Sequence, residues 1–184
     1  MRADAQANRD RLLVVAGAVF AEQGVEASMR DIARRAGVGL ATLLRHFPTR
    51  EALLEALLRT SFDELTARAA EVEATGSPRE ALTVWVREFV AMTTANHGVV
   101  TSMVKAIEEP ESALHASCVS LRAAGARLLT NAQAADVARP DIDGADLFAL
   151  VSAFAWLGDQ PGHEARARRL FDLVVGAILT DRTG

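Results

Sequence analysis

Apolar residues return at every third or fourth position along most of the chain. Leu12, Ala16, Val19 and Phe20 make one such stripe, and Leu54, Leu57, Leu58, Phe62 and Leu65 make another. That period puts each stripe on one face of an α-helix, while the strict alternation of a half-buried strand is missing. Prolines 48, 78, 110, 140 and 161 fall between the periodic segments, where the lack of an N–H disturbs a helix least. The pattern predicts an all-α chain of about nine helices, over residues 7–23, 28–35, 39–46, 49–74, 78–95, 97–108, 112–135, 143–158 and 163–181. Ser28 with Asp31 has capping-box spacing, Thr49 precedes Glu51, and Asp143 stands where a helix restarts after Arg139-Pro140. Gly24 and Gly37 are natural helix stops.

Residues 28–47, SMRDIARRAGVGLATLLRHF, have the spacing of two short helices joined by a tight turn. Ile32, Ala33 and Ala36 supply one inner face, and Val38, Leu43 and Phe47 supply the other. Gly37 allows the sharp turn between them. Packing those faces crosses the helices at roughly 90–120° and leaves the outer face of the second free to enter a DNA major groove. The outward set is Gly39, Leu40, Thr42, Leu44, Arg45 and His46.

Charge sharpens this division. The 184 residues are half apolar and 24% charged, which suits a folded globular chain and excludes disordered or collagen-like classes. A net charge of −4 excludes a uniformly basic nucleic-acid coat. Residues 1–50 nevertheless hold eight arginines against five acidic residues, while the remainder carries a net charge of −7. A basic head on an acidic body suits a DNA-binding domain over residues 1–50 and a separate helical domain over 51–184. Cys118 is the only cysteine, so an intrachain disulfide and a cysteine-based zinc cage are excluded, and a reducing cytoplasmic setting is expected. The apolar run Leu12–Ala21 has the length of a signal-peptide core but also reads as a buried helical stripe. Leu147–Leu157 falls well short of the ~20 residues that span a bilayer, so no membrane role is expected.

The stretch RDIARRAGVGLATLLRHFPTREALLEALL, Arg30–Leu58, with AGAVFAEQGVEASM before it, resembles the TetR family of transcriptional regulators. The resemblance implies a three-helix DNA-binding domain followed by a helical ligand-binding and dimerisation domain. It implies a repressor that binds a pseudo-palindromic double-stranded operator as a homodimer and is released by a small molecule. The candidate DNA contacts are Ser28, Arg30, Gly39, Leu40, Thr42, Leu44, Arg45, His46 and Arg50. Two departures stand out. The family commonly has a small polar residue and then a lysine where Gly39 and Leu40 stand, and a tyrosine at Leu44, whereas this chain has no tyrosine. Phosphate contacts then fall to Ser28, Thr42, Arg45, His46, Arg50 and the first-helix residues Arg9 and Arg11, with Leu40 and Leu44 available to thymine methyl groups.

In the body, LFALVSAFAWL (147–157) and LFDLVVGAIL (170–179) are apolar around nearly their whole circumference and need a second surface to face. The resemblance implies dimerisation through these last two helices, with Phe148, Val151, Ala155, Phe171, Val174 and Ile178 as candidates. Residues 112–155 are similar to the C-terminal domain of an actinobacterial TetR subgroup. Trp85, Phe89, Met92, Met103, Cys118, Arg122 and Phe154 are candidate lining for a pocket taking a partly apolar effector, and each is equally an ordinary core position.

Two rival functions are also compatible with the sequence. One is a helical enzyme, against which stands the lack of any P-loop, dinucleotide fingerprint, nucleophile elbow or metal-ligand spacing. No catalytic residue, metal or cofactor is assigned, and His46 has no nucleophile or carboxylate placed beside it in sequence. The other rival is a helical ligand-binding or interaction protein of the same fold without specific DNA binding, which the missing lysine and tyrosine bring closer.

Overall fold

A computed structural model describes residues 2–160 and 162–180, which form ten helices and no strand. These are α1 (Arg2–Gln23), α2 (Met29–Arg35), α3 (Leu40–His46), α4 (Arg50–Thr75), α5 (Pro78–Ala95), α6 (His97–Ser102), α7 (Val104–Glu108), α8 (Ala113–Ala134), α9 (Gly144–Asp159) and α10 (Glu164–Ile178). The single helix predicted over 97–108 is broken in two at Met103. Its N–H is shared between the carbonyls of Val99 and Val100, at 3.0 and 3.1 Å, and its torsions (φ −104°, ψ 8°) leave the helical region as its side chain is buried. None of the described helices is long and apolar enough to cross a membrane.

The chain falls into two compact units, Met1–Thr60 with Gly98–His115, and Ser61–His97 with Ala116–Gly184. In the first, Leu12, Ala16 and Val19 of α1 are buried along with Ile32 and Ala33 of α2, Leu43 of α3 and Leu53 of α4. The run Leu12–Ala21 therefore supplies one wall of this core. Helix α2 ends as the sequence predicts, and the geometry explains why a glycine is needed. Val38 N–H bonds to the Ala33 carbonyl and Gly37 N–H to that of Arg34, a pairing that requires Gly37 in the left-handed region at φ +69°. Its start differs from expectation. Ser28 precedes α2 in extended geometry but makes no side-chain cap, and the reciprocal half of the box is missing too, since the Asp31 carboxylate is engaged by Arg34, Arg35 and Gln23 instead of returning to the Ser28 backbone.

In the second unit, two helix starts carry complete capping boxes. At α9, Asp143 accepts from the N–H groups of Ala145 and Asp146, and the Asp146 carboxylate accepts from Asp143 N–H. At α5, Ser77 and Glu80 do the same. The core follows a line of aromatic rings. Trp85 and Phe89 lie 5.2 Å apart, as do Phe89 and Phe148, and the Trp85 indole donates to the Leu65 carbonyl at 2.9 Å. Helix α9 packs on both α5 and α10. The end of α10 is pinned by an isolated antiparallel bridge between Ala138 and Leu179, with Arg139 N–H on the Ile178 carbonyl at 2.9 Å.

Candidate functional site

The predicted DNA-contact set lies on α2 and α3, on the residues that precede each of them and at the start of α4, all within the first unit. Ser28, Arg30, Gly39, Leu44 and Arg45 are exposed, whereas Leu40, Thr42, His46 and Arg50 are half-buried. Leu43 and Phe47, on the opposite side of α3, are buried, so packing holds α3 by one face and leaves the other open. The short helix starts at Gly39, whose carbonyl accepts from Thr42 and Leu43 N–H groups. No side chain caps that end.

The arginines of this unit separate into two groups. Arg34 pairs with Asp31, and Arg35 bridges Glu22 at 2.7 Å and Asp31 at 3.0 Å, which ties α2 back to α1. The Arg34 hydrogen bond, helped by Gln23 and by the charge of Arg35, holds the Asp31 carboxyl below its ordinary value. Glu22 in turn raises the Arg35 guanidinium, with Asp31 adding to the effect. Arg50, at the start of α4, bonds the Glu26 carboxylate at 2.6 Å and the Glu26 carbonyl at 3.3 Å. Arg9 lies over the Phe47 ring at 5.5 Å, and Arg11 donates to Asn8 at 2.6 Å. Arg30 and Arg45 make no side-chain hydrogen bond or ion pair among the described residues, and both are exposed. They are the side chains of the helix-turn-helix left free to meet an anion. Sequence spacing nominated Arg50 on equal terms with them, because an ion pair formed across 24 residues leaves no local signal.

The predicted ligand set does not converge. Trp85, Phe89 and Cys118 are buried core residues, and burial pushes the Cys118 thiol up, with Arg122 opposing. Met103 belongs to the first unit. Met92 borders a separate hollow with Leu65, Arg68 and Glu88. Arg122 lies 4.2 Å above the Phe148 ring at a second hollow near the start of α9. Only Phe154 reaches a cleft of about 530 Å³ formed by α5, α9 and α10. The other groups there, among them Arg87, Thr94, Arg168 and Asp172, were missed from sequence. Arg87 and Asp172 meet at 2.9 Å across 85 residues of chain.

The candidate dimer residues divide by burial. Val151 and Ile178 are already buried inside one chain, and Phe171, buried too, faces the cleft formed by α5, α9 and α10. Phe148 and Val174 are half-buried, and the side chain of Ala155 lies outside the described residues. The apolar groups that α9 and α10 do expose are Trp156, at 59%, and Leu173, at 64%. Periodicity missed Trp156 because the apolar run of α9 shows no preferred face, and it missed Leu173 because α10 is amphipathic after all and Leu173 stands on its exposed side with Arg169 and Asp172. Among the described residues no three His, Cys, Asp or Glu come together as a metal site.

Comparison with known proteins meets this geometry at both ends. Residues 12–57 match the family described as bacterial regulatory proteins, tetR family, and residues 77–177 match the C-terminal domain described as transcriptional regulator SbtR-like. The chain is 42% identical over 76 residues to the HTH-type transcriptional repressor KstR2 of Mycobacterium tuberculosis, a match covering 40% of this chain and 38% of that protein. It thus spans less than two-fifths of the length of that curated relative. Similarity to solved structures runs over nearly the whole chain. The TetR transcriptional regulator SCO0520 from Streptomyces coelicolor is 36% identical with a TM-score of 0.77, covering 93% of this chain and 98% of that one. A TetR transcription regulatory protein from Mycobacterium vanbaalenii is 32% identical with a TM-score of 0.74, covering 97% and 99%.

Proposed function

This chain belongs to the TetR family of bacterial transcriptional regulators, and on that premise we propose that it is a cytoplasmic, ligand-responsive repressor acting as a homodimer on a pseudo-palindromic operator. Membership places it among regulators and not among enzymes. The observation that carries the DNA-binding reading is the free outer face of α3, with Arg45 unpaired beside Leu40, Thr42, Leu44 and His46, and Arg30 unpaired on α2. In this reading residues 1–50 hold the DNA-binding function and 51–184 the effector and dimer functions. Arg30 and Arg45 bind phosphates, with Ser28, Gly39 and the helix ends fixing register. Leu40 and Leu44 take the place of the family's more polar contacts and meet thymine methyl groups in the major groove. Two α3 helices related by a twofold axis would enter successive major grooves about 34–36 Å apart.

Helix α4 contributes residues to both units, which makes it the natural carrier of an effector signal. An effector releases the protein only so far as it binds the DNA-free state better than the DNA-bound one. KstR2, named a repressor, supports the sign of regulation.

The test is a salt titration of the purified protein on the duplex upstream of its own coding sequence, beside a scrambled duplex of equal length. The reading expects selective binding at two protomers per site, with each phosphate contact contributing about 0.9 to the log–log salt slope. Equal, weak binding to both duplexes, with no motif returned by genome-wide selection, establishes the interaction protein without specific DNA binding.

A further inference from the structure

The cleft formed by α5, α9 and α10 combines an apolar floor with a charged rim. Its floor is apolar: Phe154 and Phe171 meet edge to face at 5.8 Å, and Val90 and Ala167 extend the same surface. Its rim is charged, with Arg87, Arg168 and Asp172 all exposed around that floor. Arg168 and Asp172 stand one turn apart on α10, a spacing at which the two can pair along the helix. Asp172 is instead taken by Arg87, reaching across from α5 at 2.9 Å. Arg168 is left without a hydrogen bond or ion pair among the described residues, and the rim holds one guanidinium in excess.

We propose that this cleft binds an amphipathic organic monoanion, its carboxylate held by Arg168 and its hydrocarbon body laid against Phe154 and Phe171. The charge balance selects a monoanion, because Asp172 already neutralises Arg87 and a second negative charge would lie against Asp172. A guanidinium presents two parallel N–H groups to a carboxylate, which fixes the orientation of the head. The aromatic floor then takes the apolar remainder, and about 530 Å³ lies within the ~300–1,000 Å³ of small-molecule sites. The assignment deepens the ligand-responsive reading given above by naming the effector class and its place. Its physical content, binding, is measured without DNA.

The experiment is calorimetric titration of the full-length protein with decanoate and with phenylbutanoate, beside decanol as the uncharged counterpart. The proposal expects saturable binding of a carboxylate at one per chain, at least about tenfold tighter than decanol. Arg168→Gln, at an exposed position, should remove that advantage and leave decanol unchanged. Ala91→Trp, which fills the cleft from the exposed side of α5, should abolish binding of both. Failure of both carboxylates to bind, parity between decanoate and decanol, or unaltered decanoate binding by Arg168→Gln each overturns the assignment. Carboxylate binding by a protein that shows no operator selectivity upholds the cleft and overturns only the regulator reading.

Discussion

The indole of Trp85 lies directly on the backbone of Gly125: a β-carbon built there would stand 2.6 Å from Cη2 and 2.7 Å from Cζ3. Trp85 is fully buried and its Nε1 is committed to the Leu65 carbonyl, so the ring has no room to withdraw. Gly125→Ala should therefore destabilise the second unit. Overpacking of this kind costs about 1–3 kcal/mol, partly offset by the ~1 kcal/mol helix-propensity gain of alanine over glycine. Urea unfolding followed by Trp fluorescence measures the result, and an unchanged midpoint would show that the ring moves freely.

Arg45 and Arg34 offer a matched pair for the DNA interface. Arg45→Ala should lower the log–log salt slope of operator binding by about 0.9, the value of one phosphate contact. Arg34→Ala should leave the slope unchanged, since Arg34 is already paired with Asp31. Equal effects of the two substitutions would contradict the division between free and engaged arginines.

Leu40→Ala addresses sequence selection separately from affinity. If Leu40 meets a thymine methyl group, its truncation should relax preference at one position of each half-site by roughly tenfold, within the ~1–3 kcal/mol typical of a base mismatch. Selection of binding sites by the variant reads this directly, and an unaltered motif removes Leu40 from the readout.

For assembly, burial separates Leu173 from Val151. Leu173→Glu places a charge on an exposed apolar site and should shift sedimentation toward the monomer with helicity unchanged. Val151→Ala should lower stability by roughly 1–3 kcal/mol through a core cavity and leave association intact. A dimer unaffected by Leu173→Glu would place the interface elsewhere.

Acid should loosen the fold at identifiable points. The carboxyls of Asp31, held chiefly by Arg34, of Glu80, held by the Ser77 backbone and hydroxyl, and of Asp141, held by Arg139, all lie below their ordinary values. A carboxyl depressed in the folded state contributes stability that is complete above its unfolded value and disappears as pH falls through the folded one. With ordinary values of 3.8 for aspartate and 4.5 for glutamate, Tm should be nearly level down to about pH 5 and fall below about pH 4. Glu80 and Asp141 are exposed and Asp31 half-buried, so the effect is modest and salt weakens it. Asp31→Asn should flatten the part owed to the first unit.

Helix starts show how far local reading reaches. Asp143 was legible as a cap because everything the motif needs lies within four residues, and the structure closes that box in full. Ser28 carries the same signal, yet its partner Asp31 is drawn away by Arg34 and Arg35, and Arg35 is itself held by Glu22 on another helix. The break at Met103 left no local signal either: the segment is helical on both sides of it, and the Met103 side chain is buried there.

The sequence by itself determined that this protein is all-helical, that residues 28–47 turn sharply at Gly37, and that one face of α3 is free. Each of these follows from interactions among residues a few positions apart, where apolar spacing and backbone freedom act directly. Tertiary structure alone decided which arginines remain unpaired, which apolar residues of α9 and α10 are exposed, and where a cleft opens. Those outcomes depend on partners far along the chain, such as Arg87 and Asp172, or Arg50 and Glu26, and on competition among many equally apolar side chains for one interior. A hydrophobic pattern states that a residue will be buried. It does not state against what.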